Sequence, residues 1–179
     1  METNTYNSYL FKALDAYPYS LEEAMEALNY SLSYQPDCAQ SLHLMGKIYG
    51  YRLRDFKAAQ FYYEAAMASE LDFVALYPDY IYALIQTGDL VAANKAIDFA
   101  RSLQGSDQAY LDILTAMSHE RNGAIKEALK AFKLAAKSSL MEDQTSYIER
   151  EIERVKKKLG NKKKKNKKPK KKGDKKRRS

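Results

Sequence analysis

The sequence lacks the features from which several common classes of protein are built. Only one of its 179 residues, Cys38, is a cysteine, so no intramolecular disulfide can form and a reducing compartment is expected. No uninterrupted apolar run of about 18 residues is present, which makes an integral membrane protein an unfavoured interpretation. Residues 1–5 are acidic and polar, so no signal peptide is expected there. We therefore expect a cytoplasmic protein, or a nuclear one in a eukaryote.

The sequence also lacks a recognisable catalytic or cofactor-binding set. Its two histidines, His43 and His119, are far apart, and neither has the spacing of a metal-ligand pair. The seven glycines are scattered rather than gathered in a phosphate-binding loop. Cys38 has no basic neighbour in sequence, which favours an inert thiol in the first turn of a helix. We expect a non-enzymatic protein that holds no metal and no cofactor.

Strand signals are weak, and a repeated helical pattern dominates instead. Four segments place small and large apolar residues on one helical face with spacings of three, four and three. The segments are Leu21, Ala24, Leu28, Ser31; Phe56, Ala59, Tyr63, Ala66; Leu90, Ala93, Ile97, Ala100; and Ile125, Ala128, Phe132, Ala135. Their first alanines are 35, 34 and 35 residues apart, a period typical of helical solenoids with two helices per repeat.

One of these units resembles the tetratricopeptide repeat. Its first helix has Leu42, Met45, Gly46 and Tyr49, and its second has Ala59, Tyr63 and Ala66, with one residue inserted between the helices. Pro36 ends the preceding unit where the family places its proline, whereas Ile81 and Ala116 replace the family's glycine in the later units. The resemblance covers roughly residues 5–140. It implies an all-α fold, a right-handed helical solenoid of about four helix pairs over residues 4–140.

Local signals predict where individual helices begin and end. Ser20 with Glu23 forms a capping box, and Asp37 with Gln40 is predicted to start a helix in the same way. Aspartates mark the other predicted helix starts, at Asp55, Asp89 and Asp107. Glycines mark two of the predicted helix ends, at Gly88 and Gly123.

Pro78 lies six residues into a segment that starts near Asp72. That helix is therefore either kinked or, as we favour, starts later, with Pro78 in its first turn.

The C-terminal part is predicted to contain a capping helix and a basic tail. Ser146 with Glu149 offers a capping box, and apolar residues follow at helical spacing up to Leu159, which indicates a helix within residues 141–160 that ends at Gly160 and Asn161. Residues 161–179 contain 11 lysines, two arginines and no large apolar residue, so we expect this segment to be disordered.

The resemblance implies that the first helices of successive pairs line a concave groove. Carried through the repeats, it predicts nine groove residues: Tyr6, Tyr9, His43, Lys47, Tyr82, Ile85, Tyr110, Ile113 and Met117. Tyrosine combines apolar area with a polar tip, which suits recognition of a protein segment with apolar or aromatic anchors, extended or helical. Family members that grip a peptide carboxylate use cationic groove residues, and only Lys47 fits that pattern. The alternative is that these side chains pack on one another along the inner wall.

Charge is divided sharply along the chain. Residues 1–120 carry a net charge of −9 and residues 121–179 a net charge of +16, which predicts a polyanion-binding end. The residues expected to bind are Lys126, Lys130, Lys133, Lys137, Lys162, Lys163, Lys164, Lys165, Lys170, Lys171, Lys172, Lys175, Lys176, Arg177 and Arg178. No aromatic residue follows Tyr147, so this end has no ring on which nucleic-acid bases could stack. We therefore expect it to contact phosphate backbones without reading base sequence. The sequence leaves several candidates for this polyanion: RNA, DNA, the ribosome, an anionic membrane and the chain's own acidic part.

These observations favour a non-enzymatic adaptor whose groove binds a protein segment and whose basic end contacts a polyanion. The alternative is a nucleic-acid- or ribosome-associated protein in which the repeats only present charge. A third hypothesis is a self-associating repeat domain with a solubilising tail.

Overall fold

The computed structural model describes residues 5–166, and it describes side-chain surroundings from Ser8 to Gly160. Within that range the chain is all-helical, without strands. The α-helices are α1 (Thr5–Ala16), α2 (Leu21–Tyr34), α3 (Ala39–Lys47), α4 (Phe56–Ser69), α5 (Tyr77–Thr87), α6 (Leu90–Ser102), α7 (Gln108–Arg121), α8 (Ile125–Ser138) and α9 (Glu142–Asn166). Residues 1–4 and 167–179 lie outside the described part of the chain.

The helices pack as four successive pairs, each formed by neighbours in sequence. α1 packs on α2, α3 on α4, α5 on α6 and α7 on α8, while α9 packs on α8. The second helix of each pair buries the predicted face, including Ala24, Ala59, Ala93 and Ala128, all of which are fully buried. Alanine lets the partner helix approach closely. The predicted fold class, an all-α helical repeat solenoid, is confirmed.

Most of the predicted helix boundaries are also confirmed. Aspartate side chains accept a hydrogen bond from the backbone N–H three residues ahead at the starts of α4, α6 and α7, with Asp55, Asp89 and Asp107 as the caps. Pro78 lies in the first turn of α5, as the later start required. The prediction for Asp37 was wrong, because Cys38 directly precedes α3 and makes no side-chain capping bond.

At the family's glycine position, the size of the residue in the first helix is related to the size of a residue that packs with it in the second helix. A Cβ on Gly46 would come within 2.6 Å of Cδ1 of Tyr63, so α3 and α4 need glycine opposite this large ring. Ile81 shares a cluster with the smaller Ile97 between α5 and α6. Size complementarity between paired helices therefore accounts for the departure from the repeat pattern.

The residue inserted in the second unit widens a helix instead of lengthening a loop. Directly after α3 the backbone forms a π-helical turn, Ile48–Arg52, in which the N–H of Leu53 bonds the carbonyl oxygen of Ile48. Such turns absorb one extra residue and re-aim the side chains that follow it. Here the turn places Tyr51 against α5.

The C-terminal helix is longer than the sequence predicted. α9 begins at Glu142, ahead of Ser146, and continues through Gly160 and Asn161 to Asn166. Ile148 and Val155 are buried against α8 in one cluster with Phe132. This packing anchors the helix, and lysine-rich sequence favours helix enough to carry it past a single glycine, which costs only about 1 kcal/mol. The disorder expected for residues 161–179 is therefore wrong for residues 161–166, which continue α9, while residues 167–179 lie outside the described residues.

Candidate protein-binding groove

An apolar cleft lies between α5, α7 and the start of α9. We call it the α5/α7/α9 cleft, and it has a volume of about 600 Å³. Its lining residues are Tyr82, Tyr110, Ile113, Met117, Met141, Asp143, Gln144 and Tyr147. Four of the nine predicted groove residues, all on α5 and α7, therefore meet at one site. The sequence did not indicate Met141 or Tyr147, because the approach of α9 to α5 is a tertiary contact.

A second trough of about 340 Å³ adjoins the cleft through Met117 and Tyr147. The predicted residue Ile85 lies here, although it is only 2% exposed and offers little surface to a ligand. The edge of this trough is charged by Glu120 and Arg121 of α7 and by Glu151, Arg154 and Lys158 of α9. The two depressions form an apolar centre with a charged edge.

An ion-pair network fastens α9 to α7 at that edge. Arg154 donates to Glu120 Oε1 through Nη1 at 2.6 Å and also bonds Glu151, while Lys158 Nζ lies 2.6 Å from Glu120 Oε1. Hydrogen bonds from Arg154 and Lys158 lower the pKa of Glu120 to about 2, against the opposing effect of partial burial. The network holds the wall of the cleft that α9 provides.

His43 is buried and does not face the cleft. Its Nε2 lies 2.8 Å from Asp79 Oδ2, and the ring packs edge-on against Phe73 with centroids 5.1 Å apart. Lys47 is half-buried on α3 and is not among the residues that line the cleft. The two predicted residues of the second unit therefore do not join those of the third and fourth.

Tyr51 supports the α5 wall of the cleft from the π-helical turn. Its hydroxyl donates to Asp79 Oδ1 at 2.7 Å, and its ring stacks on that of Tyr82 with centroids 5.7 Å apart. Burial, reinforced by the Asp79 carboxylate, raises the pKa of Tyr51 far above its usual value. Asp79 thus joins His43 and Tyr51 beneath Tyr82, a contact between repeats that spacing within one helix cannot reveal.

The N-terminal groove residues lie apart from the cleft. Tyr9 of α1 stacks on Tyr30 and Tyr34 of α2, with ring centroids 5.2 and 5.8 Å apart. Tyr6 lies within α1, ahead of the first residue whose side chain is described. The structure therefore does not bring Tyr9 to the α5/α7/α9 cleft, and the side chain of Tyr6 lies outside the described part.

Two tyrosines of the cleft, Tyr110 and Tyr147, have pKa values raised above the usual value. Burial raises the pKa of Tyr110, and the carboxylates of Asp79 and Asp107 raise it further. Burial also raises the pKa of Tyr147, where Glu151 adds to the effect and Arg154 opposes it. Their hydroxyl groups can therefore donate as well as accept hydrogen bonds.

The predicted polyanion-binding residues divide between the described helices and the tail. Lys126, Lys130, Lys133 and Lys137 are all exposed on α8. Lys162, Lys163, Lys164 and Lys165 lie within α9, beyond the last described side chain. The remaining predicted residues lie outside the described part of the chain: Lys170, Lys171, Lys172, Lys175, Lys176, Arg177 and Arg178.

The structure describes the surroundings of Cys38 and His119, which the sequence analysis considered for chemistry. Cys38 is buried, with its sulfur accepting a hydrogen bond from the Ser41 hydroxyl at 3.3 Å. His119 is half-buried on α7. Among the side chains that the structure describes, no three potential metal ligands converge. Between residues 5 and 166, none of the helices combines the length and the apolar character required to cross a membrane.

Comparison with solved structures supports the fold. A chain described as "MamA RS-1 ArsTM double mutant" superposes with a TM-score of 0.67 over 90% of this chain and 99% of that one. The sequence identity is 10%, so the likeness concerns the fold alone. No family model matches the sequence, and no curated protein matches it. Together with the helix pairing, the superposition shows a tetratricopeptide-like helical fold.

Proposed function

We propose that this protein is a non-enzymatic adaptor whose α5/α7/α9 cleft binds a segment of another protein. The supporting observation is the cleft itself, which combines three tyrosines, two methionines and an isoleucine in about 600 Å³. Rigid aromatic rings and adaptable methionines are typical of surfaces that recognise side chains of a partner. The cleft is open and elongated by the adjoining trough, so an extended or helical segment with apolar anchors suits it.

The exposed lysines of α8 and the basic C-terminal residues would supply the second contact of the adaptor, with a polyanion. Lys126, Lys130, Lys133 and Lys137 follow one another at spacings of four, three and four, which aligns them on one helical face. None of them forms an ion pair with an acidic side chain that the structure describes. Their charge therefore remains available for phosphates, whose counterions are released on binding.

Peptide selection followed by a matched pair of variants tests the cleft. Displayed random peptides are selected on the full chain, and the Kd of a selected synthetic peptide is measured by fluorescence anisotropy. Met141→Ser removes an apolar side chain that lines the cleft and is 65% exposed, so the fold should tolerate the change. We expect a loss of about fivefold or more in affinity, since one buried methionine contributes roughly 1 kcal/mol or more.

Leu140→Ser is the matched control, because Leu140 is 97% exposed and lies outside the cleft lining. It should leave the Kd within about twofold. The proposal fails if no peptide is selected, or if both variants bind the selected peptide as the original chain does.

The exposed α8 stripe favours one second candidate, a nucleic-acid- or ribosome-associated protein in which the repeats only present charge. That function requires no ligand in the cleft. It would be supported if a duplex RNA and ribosomes bind the chain at about 0.1 M salt while the peptide selection yields nothing. It would be rejected if neutralising the basic C-terminal residues leaves RNA binding unchanged.

A further inference from the structure

We infer that the partner of the α5/α7/α9 cleft anchors itself there with a basic side chain, a lysine or an arginine flanked by apolar residues. This inference rests on the proposed function and deepens it by naming the chemistry of the partner. The first observation is the charge of the lining. Asp143 is the one charged residue among the eight that line the cleft, and no cationic side chain joins it.

Two further carboxylates lie close to the same wall. Asp107 accepts a hydrogen bond from Gln144 Nε2 at 3.1 Å, and Gln144 lines the cleft. Asp79 accepts from the hydroxyl of Tyr51, whose ring stacks on that of the lining residue Tyr82. Both carboxylates also raise the pKa of Tyr110, a lining residue of the cleft, in addition to the larger effect of burial. An acidic anchor would therefore meet repulsion without a compensating cation.

The aromatic and aliphatic lining fits the two parts of a long basic side chain. The negative faces of tyrosine rings attract ammonium and guanidinium groups, and the cleft has three such rings, of which Tyr147 is 37% exposed. The methylene stem of lysine or arginine packs well on apolar surface, here supplied by Met117 and Met141. A purely apolar anchor would use the floor but leave Asp143 desolvated without a partner.

The cations that line the adjoining trough already have partners within this chain. Arg154 and Lys158 lie at the edge of the adjoining trough, where Glu120 and Glu151 already pair with them. Arg121, also at that edge, donates to the carbonyl oxygen of Gln86. Asp143 is thus the charged group that the cleft lining itself offers to a partner, beside a trough whose cations would disfavour a second basic residue of the partner on that side.

The chain's own basic tail is a poorer occupant than a separate molecule. From Asp143 to the end of α9 the helix carries the chain about 35 Å away, at 1.5 Å per residue. The 13 residues that follow Asn166 span at most about 45 Å when fully extended, so about ten of them would have to be extended for the tail to return. Residues 161–179 also contain no large apolar residue to fill the methionine-lined floor.

The test uses the synthetic peptide from the display selection and an analogue in which its lysine or arginine is replaced by norleucine. Norleucine keeps the aliphatic stem and removes the charge. We expect the selected peptides to share a basic residue next to an apolar one, and the analogue to bind about tenfold more weakly. Asp143→Asn should weaken the original peptide about threefold to tenfold and leave the norleucine analogue unaffected.

Glu142→Gln is the matched control, because Glu142 occupies the same first turn of α9 but is not part of the lining. It should change the Kd by less than about twofold. Equal binding of peptide and analogue, with sensitivity to Met141→Ser retained, would overturn the inference and leave the proposed function standing. Failure to select any peptide would instead remove the proposed function.

A full-length variant with Gln at Lys170, Lys171, Lys172, Lys175 and Lys176 decides between a separate partner and the tail. A separate partner predicts an unchanged Kd for the peptide. A Kd about tenfold lower in this variant would show that the tail competes for the cleft, and the assignment to another molecule would be overturned.

Discussion

Gly46 of α3 lies directly against the ring of Tyr63 of α4, with no room for a Cβ between them. Tyr63 is 1% exposed and contributes its ring to the cluster that joins the second and third helix pairs. The close approach of α3 and α4 therefore depends on the absence of a single methyl group.

Gly46→Ala should destabilise the protein by about 1–3 kcal/mol, because overpacking against Tyr63 outweighs the higher helix propensity of alanine. Gly160→Ala is the matched control, since Gly160 is also helical but has no neighbouring atom within 4 Å of an added Cβ. It should cause no loss of stability. Urea denaturation measures both, and an unchanged midpoint for Gly46→Ala would contradict the packing argument.

The hydrogen bond from Tyr51 to Asp79 should couple the second and third helix pairs. Tyr51→Phe and Asp79→Asn should each lower the free energy of unfolding, Asp79→Asn by about 1–3 kcal/mol because His43 also loses its carboxylate. A double-mutant cycle should give a coupling energy of about 0.5–1.5 kcal/mol. Tyr19→Phe, at a residue that is 90% exposed, is the control and should have no effect. Strict additivity of the two changes would refute the coupling.

The Glu120 network should make the docking of α9 sensitive to acid. The pKa of Glu120 is lowered from 4.5 to about 2 in the folded state, so its contribution is complete above about pH 4.5 and is lost as the pH falls towards 2. The protection factors of α9 amides, which compare the measured exchange rate with the intrinsic rate at the same pH, should therefore fall in acid.

Glu120→Gln should show the lower protection factors already at pH 6 and should lose less protection between pH 5 and pH 2.5 than the original chain. Glu127→Gln, on the exposed side of α8, serves as the control and should follow the original profile. If the Glu120→Gln variant loses as much α9 protection in acid as the original chain, carboxylates other than Glu120 are responsible for the acid sensitivity of α9.

The α8 lysine stripe should set part of the salt dependence of polyanion binding. Replacing Lys126, Lys130, Lys133 and Lys137 by Gln should reduce the slope of log K against log salt for a duplex RNA by about 0.9 for each phosphate contact that is lost. Lys57→Gln with Lys95→Gln, both exposed on other helices, should leave the slope unchanged. An unchanged slope in the stripe variant would assign RNA binding to other residues.

The sequence predicted the fold more completely than the site. The buried faces of α2, α4, α6 and α8 could be identified because each repeats within one helix at a period near 34 residues. Tyr82, Tyr110, Ile113 and Met117 could be selected in the same way, since they follow the register of the first helices. The contribution of Met141 and Tyr147 could not, because it depends on how α9 lies across α5 and α7.

The position of Tyr51 shows the same limit within a repeat. The spacing from Gly46 to Ala59 revealed one inserted residue, but an insertion can lengthen a loop or widen a helix. Packing between α3 and α4 placed it in the π-helical turn, and this brought Tyr51 to Asp79. Likewise, the register of α1 could not show that Tyr9 stacks on α2.

By itself, the sequence determined the helices, their pairing and the division between an acidic body and a basic end, because these follow from local periodicity, capping and charge. Tertiary structure alone decided which tyrosines share a cleft, which carboxylates lie behind them, and where α9 closes the wall. The physical reason is that side chains far apart in sequence meet only after the helices stack, and the angle and depth of that stacking are set by the sizes of buried residues such as Gly46 and Tyr63.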